Sequence, residues 1–179
     1  MNRTADVVIV GAGVIGSATA FELAKRGYKT LNIDKLPASG YGSTSNSCAI
    51  VRAHYSTWDG VAMAYEGFFY WDDWNKYLEV EDERGMAKYM KTGSIMFMLK
   101  GADHSKKSLN LFKEIGVEHE IWDLETLKKK MPIYSHDSYN GTSRPDEDDS
   151  FFDKSGDQIE GAIWTPGSGY VSDPQLATH

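Results

Sequence analysis

The sequence predicts an α/β fold, and three observations carry that expectation. Residues 6–10, DVVIV, form a short β-branched run; glycines follow at positions 11, 13 and 16; and YKTLNID, ending in Asp34, reads as a second strand. A continuous apolar run of this length suits a parallel strand buried on both faces. Strand, glycine turn, helical stretch and strand follow one another without interruption, which makes a βαβ unit of Rossmann type.

Each element has its own warrant. After the glycines, Ala18, Phe21 and Ala24, with Ala20 and Leu23, form an apolar stripe at helical spacing, and Glu22, Lys25 and Arg26 are expected to face outward. Gly27 stops that helix as a left-handed cap. Gly11 permits the tight turn, Gly13 lets backbone approach a pyrophosphate, and Gly16 lets helix and strand pack closely. A diphosphate at the helix N-terminus meets unpaired N–H groups and the positive end of the dipole. Asp34, at the end of the second strand, is placed to accept hydrogen bonds from a ribose. A carboxylate there repels a 2′-phosphate, so NADP suits the site least.

The same stretch has some look of a secretory leader, with Arg3 as a thin positive end and SATA as a cleavage site. Asp6 directly before the apolar run, the three glycines and the early Glu22 argue against both a leader and a membrane span. A cytoplasmic location is the expectation.

Composition narrows the rest. The chain has 179 residues, 41% hydrophobic and 25% charged, enough for one domain or somewhat more. A net charge of −7 and the lack of a basic stripe argue against nucleic acid as a partner. The single cysteine, Cys48, excludes an internal disulfide framework, and the five histidines lack the spacing of a metal site. No metal is expected.

Residues 35–56, KLPASGYGSTSNSCAIVRAHYS, are rich in small polar residues. GSTSNS offers hydroxyls and backbone amides just before CAIV, which is expected to open a helix, so the stretch reads either as a second anion-binding element or as a surface loop with a cap. Cys48 in that stretch is expected to be a small buried hydrophobe.

Together, VVIVGAGVIGSATAFELAKRG, the acidic end of the second strand and GYGSTSNSCAIVR resemble the D-amino-acid oxidase superfamily of flavoproteins, in the branch of sarcosine oxidases and dimethylglycine dehydrogenases. GSGYVSDPQL, residues 167–176, resembles a later segment of that family. The resemblance covers the chain to about residue 75 and again from about 159; the middle matches in general pattern only.

The resemblance implies FAD as cofactor, with Gly11, Gly13, Gly16 and Asp34 on its adenosine diphosphate and Lys35 beside the adenosine. Gly42, Ser43, Thr44 and Ser45 are implied to wrap the ribityl and flavin side. Arg52 falls on the arginine that pairs with the substrate carboxylate in sarcosine oxidases, and Tyr55 on an aromatic of the substrate pocket. A guanidinium suits that task because its planar fork bonds a carboxylate through two parallel hydrogen bonds.

Two positions depart from the pattern. Asn46 stands where dimethylglycine dehydrogenases carry a flavin-linking histidine, which argues against covalent attachment through this loop. Ala49 stands where sarcosine oxidases carry a second basic residue, which leaves the electron acceptor open.

Further along, residues 59–80 read as a helix starting at a capping aspartate, Asp59, with a core face of Ala62, Tyr65, Phe69, Trp74 and Leu78. KYMKTGSIMFMLKG reads as two strands around a bend at Thr92 and Gly93. A helix over 103–115, stopped by Gly116, is followed by a strand, VEHEIW, and by a short helix, LETLKKK, capped by Asp123 and ended by Pro132. Residues 135–157 are polar and turn-rich; Asp146, Glu147, Asp148 and Asp149 lack the spacing of a calcium loop and read as a solvated loop. QIEGAIWTP resumes as strand.

At the end, Ser172 or Asp173 caps a helix with Pro174 in its first position, and the chain stops at His179 after little more than a turn. The expectation is a truncated chain: residues 1–85 the first part of a Rossmann-like FAD-binding domain, 86–158 part of an inserted α+β substrate domain, and 159–179 a return into the first. The implied activity of the full protein is FAD-dependent oxidation of the C–N bond of an amino acid or N-methyl amino acid. The fragment alone is expected to turn over little, and to associate with the missing half or another chain. The alternatives are the nucleotide-binding domain of an NAD-dependent dehydrogenase, or a non-catalytic nucleotide-binding fragment.

Overall fold

The structure, a computed structural model, describes residues 4–139, 144 and 146–179. Arg3 of the leader-like stretch, and residues 140–143 and 145 of the acidic segment, lie outside the described residues. Two compact units are present. The first comprises Met1–Val51, Gly67–Lys91 and Gly169–His179; the second comprises Arg52–Glu66 and Thr92–Ser168.

The first unit begins with strand β1 (Val7–Val10), helix α1 (Val14–Lys25) and strand β2 (Thr30–Ile33). The strands pair in parallel, Val7 opposite Thr30 and Val10 opposite Ile33. Asp6 fixes their start, because its carboxylate accepts the Lys29 amide at 2.8 Å and its own amide donates to the Lys29 carbonyl at 2.8 Å. Gly27, at φ +86, donates to the Ala24 carbonyl just past the end of α1. Burial of β1 on both faces is not observed: Val8 and Val10 are 56% and 84% exposed. β1 has one strand partner here, so no strand pairs with its other edge among the described residues. Glu22 does not point fully outward either; it takes the Tyr77 hydroxyl at 2.7 Å. Ala24, expected on the inner stripe, is exposed.

CAIV opens no helix. Ile50–Val51 form strand β3, paired with a distant strand at Gly169–Val171. The latter also pairs with β4 (Tyr89–Met90), giving a small antiparallel sheet with the late strand in the middle. Long-range pairing overrode the local pattern, and Cys48, in the turn before β3, is exposed rather than buried. Helix α2 (Trp58–Asp72) leads into α3 (Trp74–Leu78). Its cap is Thr57, whose Oγ1 accepts the Gly60 amide at 3.3 Å; Asp59 lies inside the first turn, where its charge favours the dipole.

In the second unit, β5 (Ser94–Met98) and β6 (Glu120–Asp123) flank β9 (Gly161–Thr165), both antiparallel to it. The central position of β9 explains its unbroken apolar run: Ala162, Ile163 and Thr165 are fully buried. Gly93 at the bend has φ +71, and a Cβ there would fall 1.8 Å from the Trp164 ring. Helix α4 (Asp103–Ile115) ends at Gly116 in the left-handed region. Helix α5 (Leu124–Lys130) is capped by Asp123, which accepts the Thr126 amide at 2.8 Å. Trp122, Leu127, Ile159 and Ala162 form a core, with Trp122 stacked on Trp164 at 5.1 Å.

The turn-rich segment holds structure of its own. β7 (Asp137–Tyr139) and β8 (Lys154–Gln158) pair antiparallel, tied by a Lys154–Asp137 ion pair at 2.6 Å. Asp146, Glu147 and Asp149 between them are exposed. The end of the chain, expected to start an α-helix, is a short 3-10 turn at Leu176–Thr178, with Asp173 accepting the Leu176 amide at 2.9 Å.

Candidate functional site

The glycine turn between β1 and α1 is built as close packing requires. Gly11 adopts φ +109 and donates to the Ile33 carbonyl at 2.8 Å, while a Cβ there would meet only open space. At Gly16 a Cβ would stand 1.9 Å from the Gly11 carbonyl oxygen, so only glycine lets α1 lie this near the turn. Gly13 precedes the helix with no side chain to cap it, and the amides of its first turn are directed out of the helix end. Thr44, buried, takes one of them: its Oγ1 accepts the Val14 amide at 3.0 Å.

Asp34 closes the other side. Its carboxylate accepts the Ala12 amide at 2.7 Å and the Leu36 amide at 2.9 Å. These bonds, Ala12's first, hold its pKa below the usual carboxylate value. Asp34 thus turns towards the glycine loop, and carboxylate oxygens keep lone pairs for further donors. Lys35 is exposed beside it.

The second loop folds onto the first. Gly40, at φ +67, donates to the Ala12 carbonyl at 2.7 Å. Gly42 receives Ser45 Oγ at 3.1 Å and Asn46 Nδ2 at 2.8 Å on its carbonyl, so those side chains are engaged within the loop. Ser43 is exposed. Gly11, Gly13, Gly16, Asp34, Lys35, Gly42, Ser43, Thr44 and Ser45 therefore all lie in the first unit, the glycine turn bridged to the second loop through Ala12 and Val14. Ala12 and Gly40 join the two loops but are absent from the expected site; the sequence signal for Gly40 is its place in the glycine-rich SGYGS turn, and Ala12 has none.

The cradle fits an adenosine diphosphate. Unfilled space at Gly11, uncapped helix amides and a carboxylate at the strand end are the donor and acceptor set such a group needs. A cavity of about 470 Å³ that reaches Val14 at the start of α1 is lined mainly by aromatic and aliphatic side chains, Phe21, Tyr70, Trp71, Trp74 and Tyr77 among them, which suits a diphosphate poorly.

Arg52 and Tyr55 lie in the second unit. Both are exposed, with the guanidinium carbon 6.0 Å from the Tyr55 ring centre. None of the ion pairs among the described residues involves Arg52. His54 between them is buried, and its Nε2 lies 3.0 Å from Thr165 Oγ1. Among the described residues no group of acidic, histidine or cysteine side chains is arranged to hold a metal, and no helix is long and apolar enough to cross a membrane.

Comparison with known proteins agrees with this geometry. Residues 6–179 match the family model "FAD dependent oxidoreductase" (DAO). The chain is 31% identical over 147 residues to a putative sarcosine oxidase of Caenorhabditis elegans, covering 81% of this chain and 36% of that protein. It is 29% identical over 149 residues to a monomeric sarcosine oxidase of Bacillus sp. (strain B-0618), covering 81% and 37%. The chain thus spans little more than a third of the length of these relatives. Among solved structures, L-proline dehydrogenase from P. horikoshii shares the fold with a TM-score of 0.73 at 21% identity, over 99% of this chain and 40% of that one. Glycine oxidase from Geobacillus kaustophilus does so with a TM-score of 0.64 at 22% identity, over 97% and 42%. Because the family model covers residues 6–179, nearly the whole chain, the chain belongs to the DAO family of FAD-dependent oxidoreductases.

Proposed function

We propose that this chain supplies the adenosine-diphosphate cradle and part of the substrate-covering region of an FAD-dependent oxidoreductase acting on the C–N bond of an amino acid or N-methyl amino acid of the sarcosine or dimethylglycine type. The observation that carries the substrate class is Arg52: exposed, beside an aromatic ring, and outside every ion pair among the described residues. A guanidinium in that state suits the carboxylate common to such substrates. Similarity to sarcosine oxidases supports the same class.

Gly11, Gly13, Gly16, Asp34 and Lys35 hold the adenosine diphosphate, and Gly42, Ser43, Thr44 and Ser45 the ribityl and flavin side. On this reading residues 1–85 and 159–179 belong to the cofactor domain and 86–158 to the substrate domain, bounds that differ from the compact units, in which Arg52–Glu66 and Thr92–Ser168 form the second. FAD, when bound, supplies the two-electron acceptor for the oxidation. The carbon beside the neutral amine nitrogen would give up a hydride to the bound flavin, leaving an iminium ion that water hydrolyses; where the nitrogen carries a hydrogen, that proton is released to give the imine first. Arg52 binds and orients the carboxylate, and Tyr55 lends an apolar wall that excludes water. We place the protein in the cytoplasm, where a free exposed thiol such as Cys48 stays reduced. Association with a further polypeptide is part of the proposal, supported by the exposed Val8, Val10 and Ile15 around β1.

The test is a visible spectrum of the full-length, FAD-loaded holoprotein, followed for bleaching on anaerobic addition of sarcosine, dimethylglycine or D-amino acids. Bleaching by one of them is expected. No bleaching by any removes amine oxidation and leaves flavin binding standing. A protein that stays colourless with FAD but binds NADH overturns both.

A further inference from the structure

The second unit carries a polar cluster that packing alone does not require. His54 is 8% exposed, and its Nε2 meets Thr165 Oγ1 at 3.0 Å. Thr165 and Ser168 are fully buried. Thr165 Oγ1 also lies 2.8 Å from Ser94 Oγ and 2.9 Å from Ser168 Oγ. Four polar side chains thus converge, three of them buried and Ser94 half-buried, and each buried one has a desolvation cost that an aliphatic residue avoids. The His54 ring rests against Phe112 of α4 at 5.5 Å.

The position of His54 gives the cluster a use. Arg52 lies two residues before it and Tyr55 one residue after, both exposed, while Ala53 and His54 are buried. The segment is pinned at three further points: Tyr55 donates its amide to the Ala53 carbonyl at 2.9 Å, Ser108 Oγ donates to the Tyr55 carbonyl at 3.3 Å, and the guanidinium sits over the Tyr55 ring. Burial first, then the charges of Arg52 and His104, push the His54 pKa down to about 4, so the imidazole is neutral at ordinary pH. Phe112 of α4 and Thr165 of β9, which contact the ring, carry no charge, and neither do Ser94 of β5 and Ser168 of the turn after β9, which meet the Thr165 hydroxyl. A neutral ring holds the segment without adding a second positive charge that would draw a carboxylate away from Arg52.

We propose that His54, through its hydrogen bond to Thr165, is a positioning residue that fixes Arg52 and Tyr55 for carboxylate recognition. The proposal rests on the reading that Arg52 binds the substrate carboxylate. The test uses the full chain, with dissociation constants for sarcosine and acetate followed at the Arg52 Nε–Hε resonance by NMR. His54→Leu and Thr165→Val are each expected to weaken binding about tenfold, and in the Thr165→Val background His54→Leu is expected to add nothing further, because the bond between the two residues is already gone. His54→Gln, which can still reach Thr165, is expected to restore binding to within about threefold.

Retained binding in His54→Leu and Thr165→Val overturns the proposal. Loss that His54→Gln does not rescue also overturns it, since the role is then packing alone. If His54→Leu fails to fold, Thr165→Val and His54→Gln still decide. Arg52→Met tests the underlying reading separately: unchanged carboxylate binding there, or no binding by the unmodified chain, removes that reading and the proposal with it.

Discussion

The carboxylate of Asp34 and the main-chain amide of Ala12 meet at 2.7 Å, joining the end of β2 to the middle of the glycine turn. Removing the charge leaves the Ala12 and Leu36 amides with a weaker acceptor and takes the ribose-binding carboxylate away. Asp34→Asn is therefore expected to weaken ADP and FAD binding about tenfold, measured by calorimetry. The folded-state pKa lies below the ordinary 3.8, so the carboxylate's contribution to stability is present above that value and fades as pH falls through the folded pKa. Urea midpoints of the two proteins should accordingly differ at neutral pH and converge in strong acid.

Two glycines of the same turn should respond differently. A Cβ at Gly16 collides at 1.9 Å with the Gly11 carbonyl oxygen, a backbone atom that cannot swing aside, so α1 must move. Gly16→Ala is expected to destabilise by about 3 kcal/mol, seen as a lowered denaturation midpoint. At Gly13 the nearest atom is Thr44 Oγ1 at 3.1 Å, a side chain able to yield slightly. Gly13→Ala should fold, yet bind ADP less well, because the methyl group occupies the backbone's approach to the diphosphate.

These contrasts show what the sequence could and could not disclose. The Gly116 stop and the Asp123 cap were legible because each is set by residues within a turn or two of one another, and the βαβ unit because its strands, glycine turn and helix follow one another without interruption from Val7 to Ile33. The failures involve partners far along the chain. Ile50 and Val51 look fit to start a helix until Gly169 and Tyr170 recruit them as a strand. Residues 135–157 read as loop because the alternation of β7 and β8 is too polar to signal strands, and their ion pair joins residues 137 and 154. His54 went unnoticed because its partner, Thr165, is brought to it only by the sheet.

Tyr77 and Glu22 give an alkaline signature. The Tyr77 hydroxyl donates to Glu22 Oε1 at 2.7 Å, and burial, with the Glu22 bond next, pushes the phenol up to about 12 from 10.0. A raised folded-state pKa means that the stabilisation is complete below the unfolded value of 10.0 and is lost as pH rises towards about 12. Tyr77→Phe keeps the ring contacts with Phe21, Tyr70 and Trp74 and removes only the hydroxyl. The expected cost is about 0.5–1 kcal/mol at neutral pH, reduced by the partial exposure of the pair. Chemical denaturation should show that difference shrinking above pH 10.0, where the unmodified protein alone loses the bond.

Arg52 separates recognition from chemistry. Its guanidinium lies 6.0 Å from the Tyr55 ring and is committed to no carboxylate among the described residues, so its fork is available to a substrate. Lysine keeps the charge but loses the paired hydrogen bonds and the planar face that packs on tyrosine. Arg52→Lys in the holoprotein is expected to raise KM for sarcosine about tenfold or more while changing kcat less, because the lost contact is made in ground and transition states alike. An N-methylamine without a carboxylate should be oxidised equally by both proteins, since it never engages the fork. Steady-state kinetics with the two substrates checks this. Equal losses for both would mean that Arg52 supports the fold of its segment and reads no carboxylate.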